Sequence, residues 1–315
     1  MDELTQLRAM RSEIEEPSLD ALSPAFRKLD RRMTRAATAK KRHRRVVAAI
    51  AAAAVAVVAV GQGTVAVQAA EVSGVLNAAA DETINIVDPV VSPGQFLKVT
   101  TKGYGETTTD YEGLAEPLTY WATDTSESYT AYGASGPEVI VRTKGKPENF
   151  SSPAAKETAA GWTGEPEIIR DLGAPTTIYD YAAMPRDPRA LLEYFDREYN
   201  GGSASRDENN WERMLDVLRR GDVPSDLRAT LYRAIALLSN VTVGDRRANL
   251  DGREGIAIGR TEFLRAGYRQ EIIIDPATGQ LIGERHISTL SVFGYTAGEV
   301  LYSTSITTQV VDSAP

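Results

Sequence analysis

The sequence predicts an α+β protein, with one transmembrane helix followed by a large curved antiparallel sheet that has helices packed on one face. Two observations lead to this prediction. An uncharged apolar run lies near the N-terminus, at residues 46–67. Beyond it, strand-like segments come first, segments with helical spacing follow, and strand-like segments then return. Strands and helices segregated in this way are typical of domains in which helices cover one face of an antiparallel sheet.

The apolar run at 46–67 has 22 residues, most of them Ala or Val, and no charge. As a helix it would be about 33 Å long, close to the hydrocarbon thickness of a bilayer. The basic cluster Lys40–Arg45 precedes it directly, and the next basic residue is Lys98. By the positive-inside rule, the N-terminus stays in the cytoplasm and the C-terminal part crosses the plasma membrane. The same basic cluster is expected to bind anionic lipid headgroups.

Three interpretations of this run remain open. An uncleaved signal anchor agrees best with the one-sided charge. A signal peptide cleaved near Ala69 is the second, although the basic region before the apolar run is long for one. The third is an Ala-rich helix buried in a soluble protein, which leaves the flanking charge unexplained.

Charge is divided unequally along the chain. Residues 1–69 carry 12 Lys or Arg and 7 Asp or Glu, a net charge of +5, while the remainder carries 23 and 36, a net charge of −13. A domain this acidic repels phosphate backbones, so nucleic acid is not expected as a partner. The sequence has no cysteine, which excludes disulfides, cysteine nucleophiles and the zinc motif of zinc-bearing anti-sigma domains.

The cytoplasmic tail, residues 1–45, contains two short amphipathic segments. Leu4 and Leu7 lie at helical spacing in the first, and Phe26 and Leu29 in the second. We expect these four side chains to contact a cytoplasmic partner. The alternative is that the segments lie along the membrane or fray, because short isolated helices are marginally stable.

Residues 68–93 are predicted to form a helical stem or linker, and residues 94–315 an exported α+β domain. Four short segments rich in β-branched and aromatic residues predict its first strands. They are 95–101, 118–123, 128–132 and 138–143. Residues 145–184 are rich in Pro, Gly, Ser and Thr and predict a long surface excursion.

Three amphipathic segments predict helices that follow this excursion. They are 185–199, 211–220 and 225–238. Gly221 is expected to end the second of them. Four strands are expected beyond the helices. They are 255–260, 268–274, 280–288 and 299–309. Asp275-Pro276-Ala277-Thr278-Gly279 has the chemistry of a tight turn, so residues 268–288 predict a hairpin.

Features spread along the chain resemble those of a known family. They are Met1-Asp2-Glu3-Leu4, the basic run before an Ala/Val helix, Pro93-Gly94-Gln95-Phe96-Leu97, Pro224-Ser225-Asp226-Leu227-Arg228, Gly255-Ile256-Ala257-Ile258 and Ile274-Asp275-Pro276-Ala277-Thr278-Gly279. In their order they are similar to the actinobacterial single-pass membrane proteins often encoded beside extracytoplasmic-function sigma factors. The resemblance implies an exported domain tied to sigma-factor regulation, with a sigma factor as the candidate partner of the tail.

The hairpin turn is also similar to that of the half-barrel domains of lipoprotein carriers and sigma regulators, which shelter a lipid or a peptide. A curved sheet with helices on one face can enclose an apolar cleft for such a ligand. The candidate lining residues are Tyr120, Trp121, Trp211, Leu215 and Leu231. The alternative for each of them is ordinary packing in the core or between strands.

The sequence contains no recognisable catalytic constellation. His286 is the only histidine of the predicted exported domain, and without a second His or a Cys it supports neither a zinc site nor a Ser-His triad. No cofactor or metal is expected. The sequence therefore favours a membrane-anchored sensor or regulatory protein. The alternative is an exported lipid- or peptide-binding carrier with a simple anchor, and a hydrolase is a third interpretation.

Overall fold

The computed structural model describes most of the chain beyond the N-terminal tail. The described residues are 53–108, 118–134, 137–162, 164–170, 179–197, 199–265, 267–291 and 295–315. The predicted partner-binding residues Leu4, Leu7, Phe26 and Leu29 lie outside these ranges, as does the basic cluster Lys40–Arg45. The chain divides into two compact units, Met1–Gly61 and Gln62–Pro315, and the second unit holds every described strand.

Helix α1 runs from Ala53 to Ile84. It begins inside the predicted membrane segment 46–67, whose first seven residues lie outside the described part of the chain. No helix within the described ranges has the length and apolar character needed to span a bilayer. The C-terminal part of α1 coincides with the predicted stem, and its Val72 and Leu76 are buried in the main core.

Four further helices are described in the second unit. They are α2 (Pro153–Ala159), α3 (Pro188–Asp196), α4 (Arg206–Leu218) and α5 (Ser225–Ile235). The carboxylate of Asp187 accepts hydrogen bonds from two backbone N–H groups at the start of α3, where Pro188 has no N–H to satisfy. Ser205 caps α4 in a similar way, and Gly221 follows that helix in the left-handed conformation that the sequence predicted.

Ten strands of the described residues form one antiparallel sheet. They are β1 (Phe96–Thr108), β2 (Thr119–Ala131), β3 (Val139–Lys144), β4 (Glu167–Ile169), β5 (Val241–Val243), β6 (Ala248–Leu250), β7 (Arg253–Glu262), β8 (Tyr268–Ile274), β9 (Leu281–Ser288) and β10 (Val300–Val311). Their order is β4-β3-β2-β1-β10-β9-β8-β7-β5, and β6 pairs with β7 beside this path. The α+β class and the large antiparallel sheet are therefore confirmed.

Strand β2 corrects one detail of the prediction, because the segments expected at 118–123 and 128–132 are a single continuous strand. Asp124 and Glu127, which lie between them, are of residue types depleted in strands. They nevertheless pair with β1 on one side and with β3 on the other. Pairing on both sides overrides a weak local preference. The predicted excursion 145–184 likewise contains α2 and β4.

The helices cover one face of the sheet. Directly paired residues of antiparallel strands share a face, so the register places Leu97, Val99, Ile258, Ile272 and Ile306 on the same side. These side chains pack with α1, α3, α4 and α5 in the main core. The opposite face carries a small apolar cluster that includes residues of β6.

The β8–β9 turn and α5 hold α1 against the sheet. The turn forms as predicted, with the Gly279 N–H donating to the Asp275 carbonyl at 2.8 Å, and the Tyr232 hydroxyl donates to the Gly279 carbonyl at 2.8 Å. Gly279 has a φ of +63°, and a Cβ at this position would clash with the carbonyl oxygen of Ala79 on α1. The turn and the helix therefore meet without space for a side chain.

Arg228 of α5 binds α1 and the segment that follows it. Its Nε donates to the Thr83 hydroxyl at 2.5 Å, and its Nη2 donates to the Asp88 carboxylate at 2.9 Å. Its Nη1 donates to the carbonyl of Val223 at 3.0 Å. With its side chain 7% exposed, Arg228 joins α5 to Thr83 on α1 and to Asp88 just after it, so this part of α1 belongs to the folded core.

Candidate functional site

The helix-facing side of the sheet changes from apolar to polar along each central strand. On β7, Ile258 is followed on the same face by Arg260, and on β8, Ile272 is preceded by Gln270. Seven side chains form this polar part of the face: Arg260 and Glu262 (β7), Tyr268 and Gln270 (β8), Glu284 and His286 (β9), and Tyr302 (β10). With Glu208, Trp211, Glu212 and Arg219 from α4 and its C-terminus, we call them the polar seam.

A chain of hydrogen bonds crosses the middle of the seam. Trp211 Nε1 donates to Gln270 Oε1 at 2.9 Å, and Gln270 Nε2 donates to the Glu284 carboxylate at 3.1 Å. Arg219 donates to the same carboxylate in a fork, from Nε at 2.6 Å and from Nη2 at 2.7 Å. The Glu284 side chain is only 5% exposed, so this two-point pairing is what permits its charge to be buried.

Arg260 lies at the β7 end of the seam. Its Nη1 donates to Glu262 at 2.9 Å and its Nη2 donates to the Ser205 hydroxyl at 3.0 Å. Its Nε has no hydrogen-bond partner among the described residues, although Arg260 is 4% exposed. A cavity of about 20 Å³ beside it is lined by Glu212, Tyr268 and other residues of the seam. That volume suits a single water molecule.

A larger pocket, of about 210 Å³, opens where the seam meets β1 and β10. Its lining residues are Thr101, Arg219, Glu284, His286, Tyr302, Thr304 and Ile306. We call it the His286 pocket. Tyr302 pairs directly with Gly105, and a Cβ at Gly103 would lie 2.6 Å from the Tyr302 hydroxyl oxygen. Two glycines on β1 thus provide the space in which the Tyr302 ring lies.

His286 forms a hydrogen bond through its Nδ1 with the hydroxyl of Tyr268. Burial raises the pKa of Tyr268, and the nearby carboxylates of Glu212 and Glu284 raise it further. The phenol therefore keeps its proton at neutral pH, and the tautomer of the imidazole sets which of the two partners donates in this hydrogen bond. Burial also lowers the pKa of His286 below its ordinary value of 6.5, although Glu284 opposes this shift. The lowered pKa thus favours the uncharged imidazole at neutral pH.

The charges around Arg219 are predominantly acidic. Its guanidinium pairs with Glu284 and Asp216, and its Nη2 lies 3.5 Å from Glu212. Burial raises the pKa of Glu212, while Arg219 lowers it. Among the described residues that line the pocket, the one guanidinium is therefore already neutralised. Within the described ranges, no group of three or more His, Asp or Glu side chains is arranged to hold a metal ion.

The residues predicted to line an apolar cleft lie in three places. Trp211, Leu215 and Leu231 are at most 1% exposed and pack in the main core. Tyr120 packs under α2 in a separate cluster. Trp121 belongs to the opposite face of the sheet, where its ring centroid lies 5.2 Å from that of Tyr104. The structure therefore brings the first three together as a packed core and leaves the two β2 residues apart from them.

A second pocket, of about 200 Å³, is apolar and lies beside α1. It is lined by Gly74, Val75, Ala78, Ala79, Ile256, Ile274 and Pro276. Sequence reasoning anticipated neither this pocket nor the polar seam. For the seam a signal was present, because polar residues alternate at or just beyond the ends of predicted strands, as in Arg260 and Glu262 or Glu284 and His286.

Comparison with known proteins gives coarse likenesses only. No family model and no curated protein sequence matches the chain. Among solved structures, the complex of Pseudomonas aeruginosa MucA and MucB is similar at 11% identity with a TM-score of 0.26, over 78% of this chain and 58% of that chain. The crystal structure of a LolA-superfamily protein from Nitrosomonas europaea is similar at 9% identity with a TM-score of 0.16, over 75% of this chain and 91% of that chain. The chain thus spans somewhat more than half of the MucA/MucB chain that it matches.

Proposed function

We propose that the protein is a membrane-anchored sensor or regulatory protein whose extracytoplasmic domain binds a small ligand in the His286 pocket. The observation that carries this proposal is the polar seam. Buried ion pairs and hydrogen-bonded polar groups stabilise a fold less well than apolar packing of the same volume. The seam places several such groups between α4 and the sheet, around a pocket of about 210 Å³. Ligand binding accounts for that arrangement better than stability does.

Anchoring is supported by the charge pattern of the sequence. The uncharged run at 46–67 follows the basic cluster Lys40–Arg45, which favours a cytoplasmic tail and a C-terminal domain on the other side. Helix α1 begins within that run, and its later residues are buried in the main core.

The proposed partner of the tail is a cytoplasmic sigma factor, as the family resemblance implies. Leu4, Leu7, Phe26 and Leu29 are the proposed contact residues, since they place apolar side chains at helical spacing. Ligand occupancy outside would then alter partner binding inside.

The carrier alternative receives less support from the described residues. A carrier needs an internal cleft for a lipid or peptide, but Trp211, Leu215 and Leu231 fill the space between the helices and the sheet. Pockets of drug-sized ligands typically enclose about 300–1,000 Å³. The apolar pocket beside α1 and the His286 pocket are smaller, at about 200 and 210 Å³.

The test uses the full-length protein in its own membrane. Protease added to spheroplasts should digest the C-terminal domain and spare the tail, and crosslinking from the tail should capture a sigma factor. Leu7→Asp should abolish this capture, whereas Gln6→Asp, which adds the same charge at the neighbouring position, should not. Digestion of the tail from outside would refute the topology. Failure to capture any sigma factor under varied growth conditions would refute the regulatory partner.

A further inference from the structure

We propose that the ligand of the His286 pocket is a neutral sugar, bound through a single pyranose ring that is either free or part of a glycan. This inference rests on the proposed function, in which the pocket is the ligand site. It is drawn from the charge, the hydrogen-bonding groups, the apolar surfaces and the volume of the pocket.

The charges of the pocket disfavour an ionic ligand. Arg219 and Glu284 both line it, and each satisfies the other through two hydrogen bonds. Burial lowers the pKa of His286, which favours its uncharged form at neutral pH. An anion would meet the guanidinium of Arg219, which Glu284 already neutralises and which also lies close to Glu212 and Asp216. A cation would have to compete with that guanidinium for Glu284. A neutral ligand avoids both costs.

The remaining polar groups suit hydroxyl groups on the ligand. Thr101, Thr304 and Tyr302 contribute three hydroxyls, each of which can donate and accept. Thr101 and Thr304 are diagonal neighbours across the β1–β10 register. His286 adds its Nε2, which donates or accepts according to the tautomer, since Tyr268 occupies Nδ1. A ligand with several hydroxyl groups can donate hydrogen bonds to these groups and accept hydrogen bonds from them, whereas a hydrocarbon would leave them unsatisfied.

The pocket also has apolar surface and a restricted volume. The Tyr302 ring and Ile306 both line it, and the C–H face of a pyranose ring is an apolar surface that packs against such groups. A volume of about 210 Å³ is below the roughly 300–1,000 Å³ that is typical of pockets for drug-sized ligands. A pocket of this size favours a ligand of one ring over a lipid chain with its headgroup.

The two histidines of the chain, His43 and His286, allow a direct binding experiment. Full-length protein is labelled with ¹³C only at histidine, placed in detergent micelles that carry no sugar headgroup, and observed by NMR. Glucose, galactose, mannose and N-acetylglucosamine are added up to about 50 mM, which covers millimolar dissociation constants. At least one of them should shift the His286 signal, while the signal of His43 in the tail serves as an internal control.

Charged counterparts test the ligand class. Glucosamine and glucose 6-phosphate keep the sugar ring and add a positive or a negative charge, and each should bind at least tenfold more weakly than its neutral parent. The trimer of N-acetylglucosamine separates the two sources of the ring. Tighter binding of the trimer indicates a glycan, and equal binding per ring indicates a free monosaccharide.

Tyr302→Phe removes a hydroxyl and keeps the ring, so it should weaken sugar binding about 3- to 10-fold, as expected for one neutral hydrogen bond. Tyr132→Phe is the matched control, because Tyr132 is 58% exposed and lies outside the pocket. An unchanged denaturation midpoint for both variants shows that the fold is intact.

Two results would overturn the inference. If a charged counterpart binds more tightly than every neutral sugar, as measured by the concentration dependence of the His286 shift, the ligand class is wrong but the pocket remains the ligand site of the proposed function. If no sugar shifts His286, sugar binding is refuted, and the proposed topology and partner are still decided separately by the protease and crosslinking assays.

Discussion

Replacing Gly279 with Ala tests whether the β8–β9 turn holds α1 against the sheet. Gly279 has a φ of +63°, and an L-residue in the left-handed region costs about 1–2 kcal/mol. Its new Cβ would meet the carbonyl oxygen of Ala79 and would lie 2.8 Å from the Cβ of Thr83, both on α1. The Ala79 carbonyl belongs to the backbone of α1 and cannot move aside as a flexible side chain could. Overpacking of this kind costs about 1–3 kcal/mol. We therefore expect Gly279→Ala to destabilise the domain by about 2–5 kcal/mol in total.

The matched control is Gly252→Ala. Gly252 also has a positive φ, of +83°, but a Cβ there meets no atom within 4 Å. Gly252→Ala should therefore lower the free energy of unfolding only by the cost of the left-handed backbone conformation, about 1–2 kcal/mol. For a domain of this size, 1 kcal/mol corresponds to about 2–4 °C in the melting temperature. The two variants should thus differ by several degrees.

Urea unfolding of the full-length protein, followed by the fluorescence of its three tryptophans, measures both variants. Trp211 lies in the main core, so its fluorescence reports the unfolding of that core. Equal free energies of unfolding for Gly279→Ala and Gly252→Ala would mean that α1 is not packed against the turn. That result would refute the assignment of α1 to the folded core.

Three further predictions concern charged groups. In the folded protein the pKa of His286 is lower than its ordinary value of 6.5, so the unfolded chain takes up this proton first as the pH falls, and stability should decline below about pH 6.5. His286→Gln should reduce this decline, and an unchanged pH profile would contradict the burial of an uncharged imidazole. Glu284→Gln should cost about 2 kcal/mol in urea unfolding by weakening a buried charged pair, whereas Glu254→Gln, at an exposed ion pair, should cost at most about 0.5 kcal/mol. Arg228→Lys removes a fork of hydrogen bonds to α1 and to the segment after it, so it should lower the melting temperature by several degrees. Arg247→Lys, at a side chain that is 80% exposed, should leave the melting temperature unchanged, and equal effects of the two variants would show that the fork contributes nothing to stability.

The sequence predicted well those features that depend on a few neighbouring residues. The turn from Asp275 to Gly279 forms because Asp bonds its own backbone and Gly accepts a positive φ. Pro188 starts a helix and Gly221 follows one for equally local reasons. The order of strands, helices and strands was sufficient to predict the α+β class.

Features that depend on the pairing of distant strands were not predictable in this way. The polar seam exists because the register aligns Arg260, Gln270 and Glu284 on neighbouring strands, and no single strand shows it. The predicted cleft grouped Trp121 with Trp211, although the alternation along β2 turns Trp121 to the other face. Aromatic residues identify strands, but only the register determines which of them meet.

The pairing of β1 with β10 has a kinetic consequence. These strands lie at the centre of the sheet, yet their paired residues are about 200 positions apart in the chain. Contacts so distant in sequence form late and slowly. Until β10 has been synthesised, β1 presents an unpaired edge of 13 residues, Phe96–Thr108, that can pair with another chain instead. Protection of this edge by a chaperone during the interval would determine how much of the protein reaches the native state.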